Sequence, residues 1–81
     1  MSIADLKAVK KVVGAKQTLK AIEKGHAQSV YLASDADQRM LAPIKEACDR
    51  EKVPVDNSLS MAELGKACGI EVGAAAVACL R

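Results

Sequence analysis

The segment Gly14-Ala15-Lys16-Gln17-Thr18-Leu19-Lys20 carries the clearest chemistry in the chain. Its glycine stands where a short β-branched run, Lys11-Val12-Val13, gives way to a helical pattern. A helix start presents unpaired backbone N–H groups and the positive end of the helix dipole, so it suits a phosphate. Glycine at that junction has no side chain to hold off an approaching backbone. Lys16, Lys20 and Lys24 recur at i, i+4 and i+8 and form one stripe down the helix. Gln17 and Lys20 carry donors and acceptors that fit guanine edges. The same stripe also fits the solvated face of an ordinary amphipathic helix, and spacing leaves both open.

A second candidate is Leu64-Gly65-Lys66-Ala67-Cys68-Gly69-Ile70-Glu71-Val72-Gly73. Ile70 and Val72 lie between Gly69 and Gly73, where aliphatic side chains are not normally left in water. Two arrangements fit: they rest against an extruded base or a helix end, or they turn inward as core. Lys66 is either a phosphate contact or a solvated lysine. Catalytic groups are sparse. His26 follows Gly25 with no adjacent acid or nucleophile, and reads as a surface histidine. Asp35 and Asp37 have the spacing of a carboxylate pair or a Mg²⁺ site, but a turn and a helix cap account for them more simply. Cys48, Cys68 and Cys79 are odd in number and lack C-x-x-C spacing, so they read as small buried hydrophobes. No enzyme, metal or cofactor is expected.

Charge distribution adds to this. Residues 1–25 hold six lysines against Asp5 and Glu23, a net +4, while residues 26–81 sum to −2. An anionic partner should therefore dock on the first third of the chain. Tyr31 is the sole aromatic residue, which excludes binding by stacking single-stranded bases on aromatic platforms. A nucleic-acid partner would have to be a folded RNA, held by lysines, backbone amides and aliphatic contacts.

The elements that must position these groups follow from pattern. At 81 residues and 51% hydrophobic, the chain reads as one domain able to bury a core. Ser2 and the Ile3, Leu6, Val9 spacing predict a helix over the first ten residues. Strand character follows at Lys11–Val13, then a helix from Ala15 to Lys24 with Leu19 and Ile22 inward and Gly25 as its stop. Ser29–Ala33 reads as a strand. Ser34–Asp37 offers caps for a helix to about Lys52, with Met40, Leu41, Ile44, Ala47 and Cys48 on its inner face. Pro43 either kinks that helix or opens a second helical piece. Val53-Pro54-Val55 reads as an edge strand. Ser60-Met61-Ala62-Glu63 is a capping box, with Leu59 and Leu64 placed as a hydrophobic staple, and the helix should end by Gly69. Ala74–Leu80 is ambiguous by propensity, but its place in a β-α-β-α-β-α series predicts a last core strand. The alternation predicts an α/β fold, a three-layer α/β/α sandwich around a mixed four-stranded sheet. The N-terminus lacks the pattern of a signal peptide, and no apolar run approaches the ~18 residues of a membrane span. A cytoplasmic protein is expected.

Taken together, Gly14–Gly25, the Leu64–Val72 segment and the small-residue strand Ala74–Leu80 resemble the kink-turn-binding ribosomal protein superfamily, which includes large-subunit proteins seven-Ae and thirty-e. The similarity is nearest to its short bacterial members of YbxF type and spans essentially the whole chain, since Val30–Asp37 and Lys52–Val55 also fall in place. The resemblance implies binding of kink-turn RNA, a helix–internal loop–helix bent by tandem sheared G·A pairs. By position, Gly14, Lys16, Gln17 and Lys20 would face the G·A pairs, and Gly69, Ile70, Glu71, Val72 and Gly73 would meet the bulge. The RNA could belong to the ribosome or to a messenger leader, and a monomer is implied. Lys16-Gln17 replaces the Asn-Glu of archaeal and eukaryotic members, which removes a charged acceptor for guanine N–H groups and adds a cation. A protein–protein adaptor or a purely structural ribosomal component is the alternative.

Overall fold

The computed structural model describes residues 10–70 and 72–81. The helix expected over the first ten residues, and Glu71, lie outside the described residues. Seven elements follow in order: β1 (Lys11–Val13), α1 (Ala15–Glu23), β2 (Ala27–Leu32), α2 (Gln38–Glu51), β3 (Val55–Asp56), α3 (Met61–Ala67) and β4 (Ala76–Leu80). The strands form one mixed sheet in the order β1-β4-β2-β3, with β4 antiparallel to both neighbours and β2 parallel to β3. The architecture is the expected three-layer α/β/α sandwich.

Topology explains the layers. β1, β2 and β3 run in one direction, and the crossovers β1-α1-β2 and β2-α2-β3 step the same way across the sheet. Right-handed crossovers therefore place α1 and α2 on one face, and these two helices pack together. The path from β3 back to β4 reverses that step. α3 closes over the other side, where the Cys68 thiol at its C-terminus lies in the field of Lys11 and Cys79, a β1–β4 cross-strand pair. β4 is buried along Ala76, Val77, Ala78 and Cys79 regardless of parity, so both of its faces are covered. Alanine's helix propensity loses here to hydrogen bonding with strands on both sides.

The core gathers Ile22, Val30, Leu32, Leu41, Ile44, Leu64 and Val77, each at most 1% exposed. All three cysteines are buried and free, and burial pushes the Cys48 and Cys68 thiols up, which keeps them neutral. Several local expectations are corrected. Met40 is 44% exposed, because the buried face of α2 runs through Leu41, Ile44, Ala47 and Cys48 and Met40 lies to one side. α1 buries Thr18, Ala21 and Ile22, while Leu19 sits half-buried at the margin. α2 passes through Pro43 as a single helix. β2 begins at Ala27, two residues before its expected start, with a bulge between Ala27 and Ser29. β3 is confined to Val55–Asp56, and the Pro54 carbonyl accepts from the Val30 N–H at its start.

Candidate nucleic-acid interface

The start of α1 and the Val72–Gly73 end of the second segment lie at the end of the sheet where β1, β2 and β3 finish. The Gly14 N–H donates to the Ala76 carbonyl at 2.8 Å, which ties the start of α1 to the start of β4. One residue back, the Ala33 N–H donates to the Ala75 carbonyl at 2.9 Å. The second loop runs directly into this part of β4. In open α/β sheets the crevice outside the carboxyl ends of the strands is the usual ligand-binding position.

Among the described residues three helices could offer an N-terminus to an anion, and they differ. Asp37 caps α2, accepting from the Arg39 N–H at 2.9 Å. α3 has the predicted capping box: the Ser60 hydroxyl accepts from the Glu63 N–H, and the Glu63 carboxylate accepts from the Ser60 N–H. The Met61 N–H is taken as well, by Asp35 at 2.7 Å. α1 alone of the three has no side-chain cap, and no acidic residue stands in its first turn. Its first intrahelical bond runs from the Thr18 N–H to the Gly14 carbonyl, which leaves the N–H groups of Ala15, Lys16 and Gln17 without intrahelical partners. Lys16 and Gln17 are exposed in the first turn at this open end, and Lys20 is exposed one turn further along the helix.

Gly14 makes the junction possible. At φ 111° and ψ 149° it adopts a backbone that other residues reach only with strain. A Cβ there would meet nothing within 4 Å among the described residues, so the strain is conformational. Gly14→Ala should lower stability by about 1–3 kcal/mol; denaturant unfolding with an unchanged midpoint would contradict this.

In the second loop the two aliphatic residues separate. Ile70 packs against the core, half-buried, while Val72 projects outward at 72% exposure. Gly69 turns the chain at φ 78°, Gly73 is exposed, and Lys66 is exposed on α3. Two residues outside the predicted set fix the loop. Gly65 is buried in α3, and a Cβ there would overlap the Val72 carbonyl oxygen. Asp35 joins the β2–α2 turn to the α3 start, and the Met61 carbonyl in turn accepts from the Ala74 N–H at 3.1 Å. Gly65 lay within the predicted motif, but only the folded loop shows its purpose. Asp35 was expected to serve its own turn or the next helix, whereas its partner is 26 residues away.

Lys24 is placed differently. It is the C-cap of α1 and lies at the opposite end of the helix from Gly14. Surface crevices of about 490 and 450 Å³ lie elsewhere, along the β2–β3 edge and beside α2, and none of the predicted residues lines them.

The capping box also sets a pH response. Hydrogen bonds from the Ser60 backbone and hydroxyl hold the Glu63 carboxyl below its ordinary value of 4.5. A depressed acid favours the fold above its unfolded value, and that contribution is lost as pH falls through the folded one. The Ser60 amide resonance should therefore move together with the Glu63 carboxyl below pH 4.5; an amide that stays fixed through the Glu63 titration would contradict the box.

The molecule thus belongs to a class of small α/β sandwiches that place an uncapped helix start and a glycine-bounded loop at one end of a mixed sheet. The chain belongs to the ribosomal protein L7Ae/L30e/S12e/Gadd45 family, whose sequence model matches residues 4–81. It is 50% identical over 76 residues to an RNA-binding protein of Geobacillus sp. (strain WCH70), covering 94% of this chain and 93% of that one. It is 49% identical over 76 residues, with the same coverage, to the RNA-binding protein YbxF of Geobacillus stearothermophilus. Among solved structures, the 15.5 kD RNA binding protein of Giardia lamblia superposes with a TM-score of 0.88 at 26% identity, covering 98% of this chain and 70% of that one. A Bacillus halodurans protein of unknown function shares the fold, with a TM-score of 0.89 at 22% identity, covering 98% of this chain and 83% of that one.

Proposed function

We propose that this chain is a non-catalytic RNA-binding module that recognises kink-turn RNA and stabilises its bent form. The observation that carries the proposal is the uncapped start of α1, with Lys16 and Gln17 exposed in its first turn and Lys20 exposed one turn further on, in a chain about half identical to RNA-binding proteins. In this account the open N–H groups and Lys16 take phosphate, and Gln17 and Lys20 read the edges of the tandem G·A pairs. Val72, supported by Ile70 and flanked by Gly69, Glu71 and Gly73, covers the bulged nucleotides. Lys66 adds a phosphate contact. The RNA is a cytoplasmic ribosomal or messenger-leader element.

The chain's work is a shift of population. RNA samples extended and kinked forms, and the protein favours the one it binds better. A kink-turn RNA labelled at both ends should show its ends approaching as protein is added, without any chemical change in the RNA. A control with the G·A pairs replaced by Watson–Crick pairs should not respond. Ends that stay apart in both RNAs would overturn the proposal and favour an adaptor role. Contact with roughly four phosphates should also make log affinity fall with log salt with a slope near −3 to −4.

A further inference from the structure

We propose that a second basic patch, Lys10, Lys24 and Arg81 at the opposite end of the sheet, holds phosphates of an RNA stem flanking the kink. The inference rests on the RNA-binding reading above and adds a contact surface to it. Lys16, Lys20 and Lys24 are exposed along α1, and at 1.5 Å per residue the stripe spans about 12 Å. One strand of a duplex presents about three or four phosphates over that length. The stripe does not stop at the helix end. The Leu80 N–H donates to the Lys10 carbonyl at 2.9 Å, and the Arg81 N–H donates to the His26 carbonyl at 2.9 Å. Lys10 therefore stands opposite Leu80 and Arg81 opposite His26, on three adjacent chain segments spaced about 4.8 Å from one to the next, and Lys24 lies two residues from His26. Lys10, Lys24, His26 and Arg81 are all exposed.

Acidic groups at this end do not cancel the patch. Glu23 lies on α1, and Asp49 and Glu51 lie on the last turn of α2, where Arg50 pairs with Glu51 at 3.5 Å and Lys52 follows. Among the described residues at this end, five cations (Lys10, Lys24, Arg50, Lys52 and Arg81) face these three acids. A surface groove bordered by Gln28 and Arg81 opens beside the row. Lys24 also suits the negative end of the α1 dipole, a purely structural role that predicts no dependence on the RNA beyond the kink.

Stem length separates the two roles. Fluorescence anisotropy would compare the parent protein with the Lys10→Ala/Lys24→Ala/Arg81→Ala variant on two kink-turn RNAs. One has minimal stems, and the other has each stem extended by about one helical turn, roughly 10 base pairs. On the long RNA the variant's log affinity should fall less steeply with log salt, by about 2–3 in slope. On the short RNA the slopes should coincide. Equal slopes on the long RNA would overturn the proposal, and so would an equal loss on both. The parent's preference for intact over G·A-disrupted RNA is measured in the same series. Its absence would sink the kink-turn reading itself, whereas its presence with equal slopes would remove only the second patch.

Discussion

Gly65→Ala should make the protein less stable and weaken its hold on RNA, although the same change in an exposed helix would stabilise it. Two effects compete. Alanine gains about 1 kcal/mol over glycine in helix propensity. At Gly65, however, the new methyl would overlap the Val72 carbonyl oxygen and press on the Gly73 Cα at 3.2 Å. These are backbone atoms, so no rotamer change relieves the contact. Overpacking of this kind costs about 1–3 kcal/mol and shifts the backbone. The segment that must shift is the loop carrying Val72, which cannot then keep its position relative to α3. Net destabilisation should appear in denaturant unfolding, and RNA affinity should fall by about tenfold, the equivalent of about 1.4 kcal/mol. A variant more stable than the parent, with unchanged affinity, would show that the loop does not depend on this approach.

The second large effect is expected at Lys20. Lys20→Ala removes an exposed side chain one turn into α1 and leaves the core untouched. Stability should change by less than about 0.5 kcal/mol, as for most surface substitutions. Affinity for kink-turn RNA should fall by about 1–3 kcal/mol, the range of a specific base contact. That separation matters, because it distinguishes a base-reading lysine from one that merely supports the helix. Binding that is unchanged in the variant would remove Lys20 from the interface.

Much of this arrangement is legible in the sequence, and the exceptions have a common cause. Capping boxes, glycine stops and the β/α alternation are local, so Ser60–Glu63, Gly25 and the succession of strands and helices along the chain could be read directly. The inner faces of helices were read less well where two neighbouring positions compete. Met40 and Leu41 differ by 100° around α2, and only Leu41 meets the sheet. Thr18 displaced Leu19 because the direction of α1 over the sheet, rather than side-chain hydrophobicity, selects the buried row. The open question about Ile70 and Val72 resolved into one inward and one outward residue.

The candidate site divides along the same line. Gly14, Lys16, Gln17 and Lys20 were visible because one helix start brings them together. Their placement at one end of the sheet with the second loop required the β1–β4 pairing, which joins residues far apart in sequence. Gly65 and Asp35 act through long-range contacts, with a carbonyl and an N–H that sequence spacing does not disclose. Lys24 shows the reverse: it belongs to the stripe by spacing, yet it stands at the other end of the molecule.

The central claim is that the open start of α1 reads tandem G·A pairs. Calorimetric titration of the protein with a kink-turn RNA, and with the same RNA carrying Watson–Crick pairs in place of the G·A pairs, tests it most directly. The account predicts tighter binding to the intact RNA by at least about tenfold, since even one specific base contact supplies about 1–3 kcal/mol. Equal affinity for the two RNAs would contradict it and leave only a basic surface that holds RNA without regard to shape.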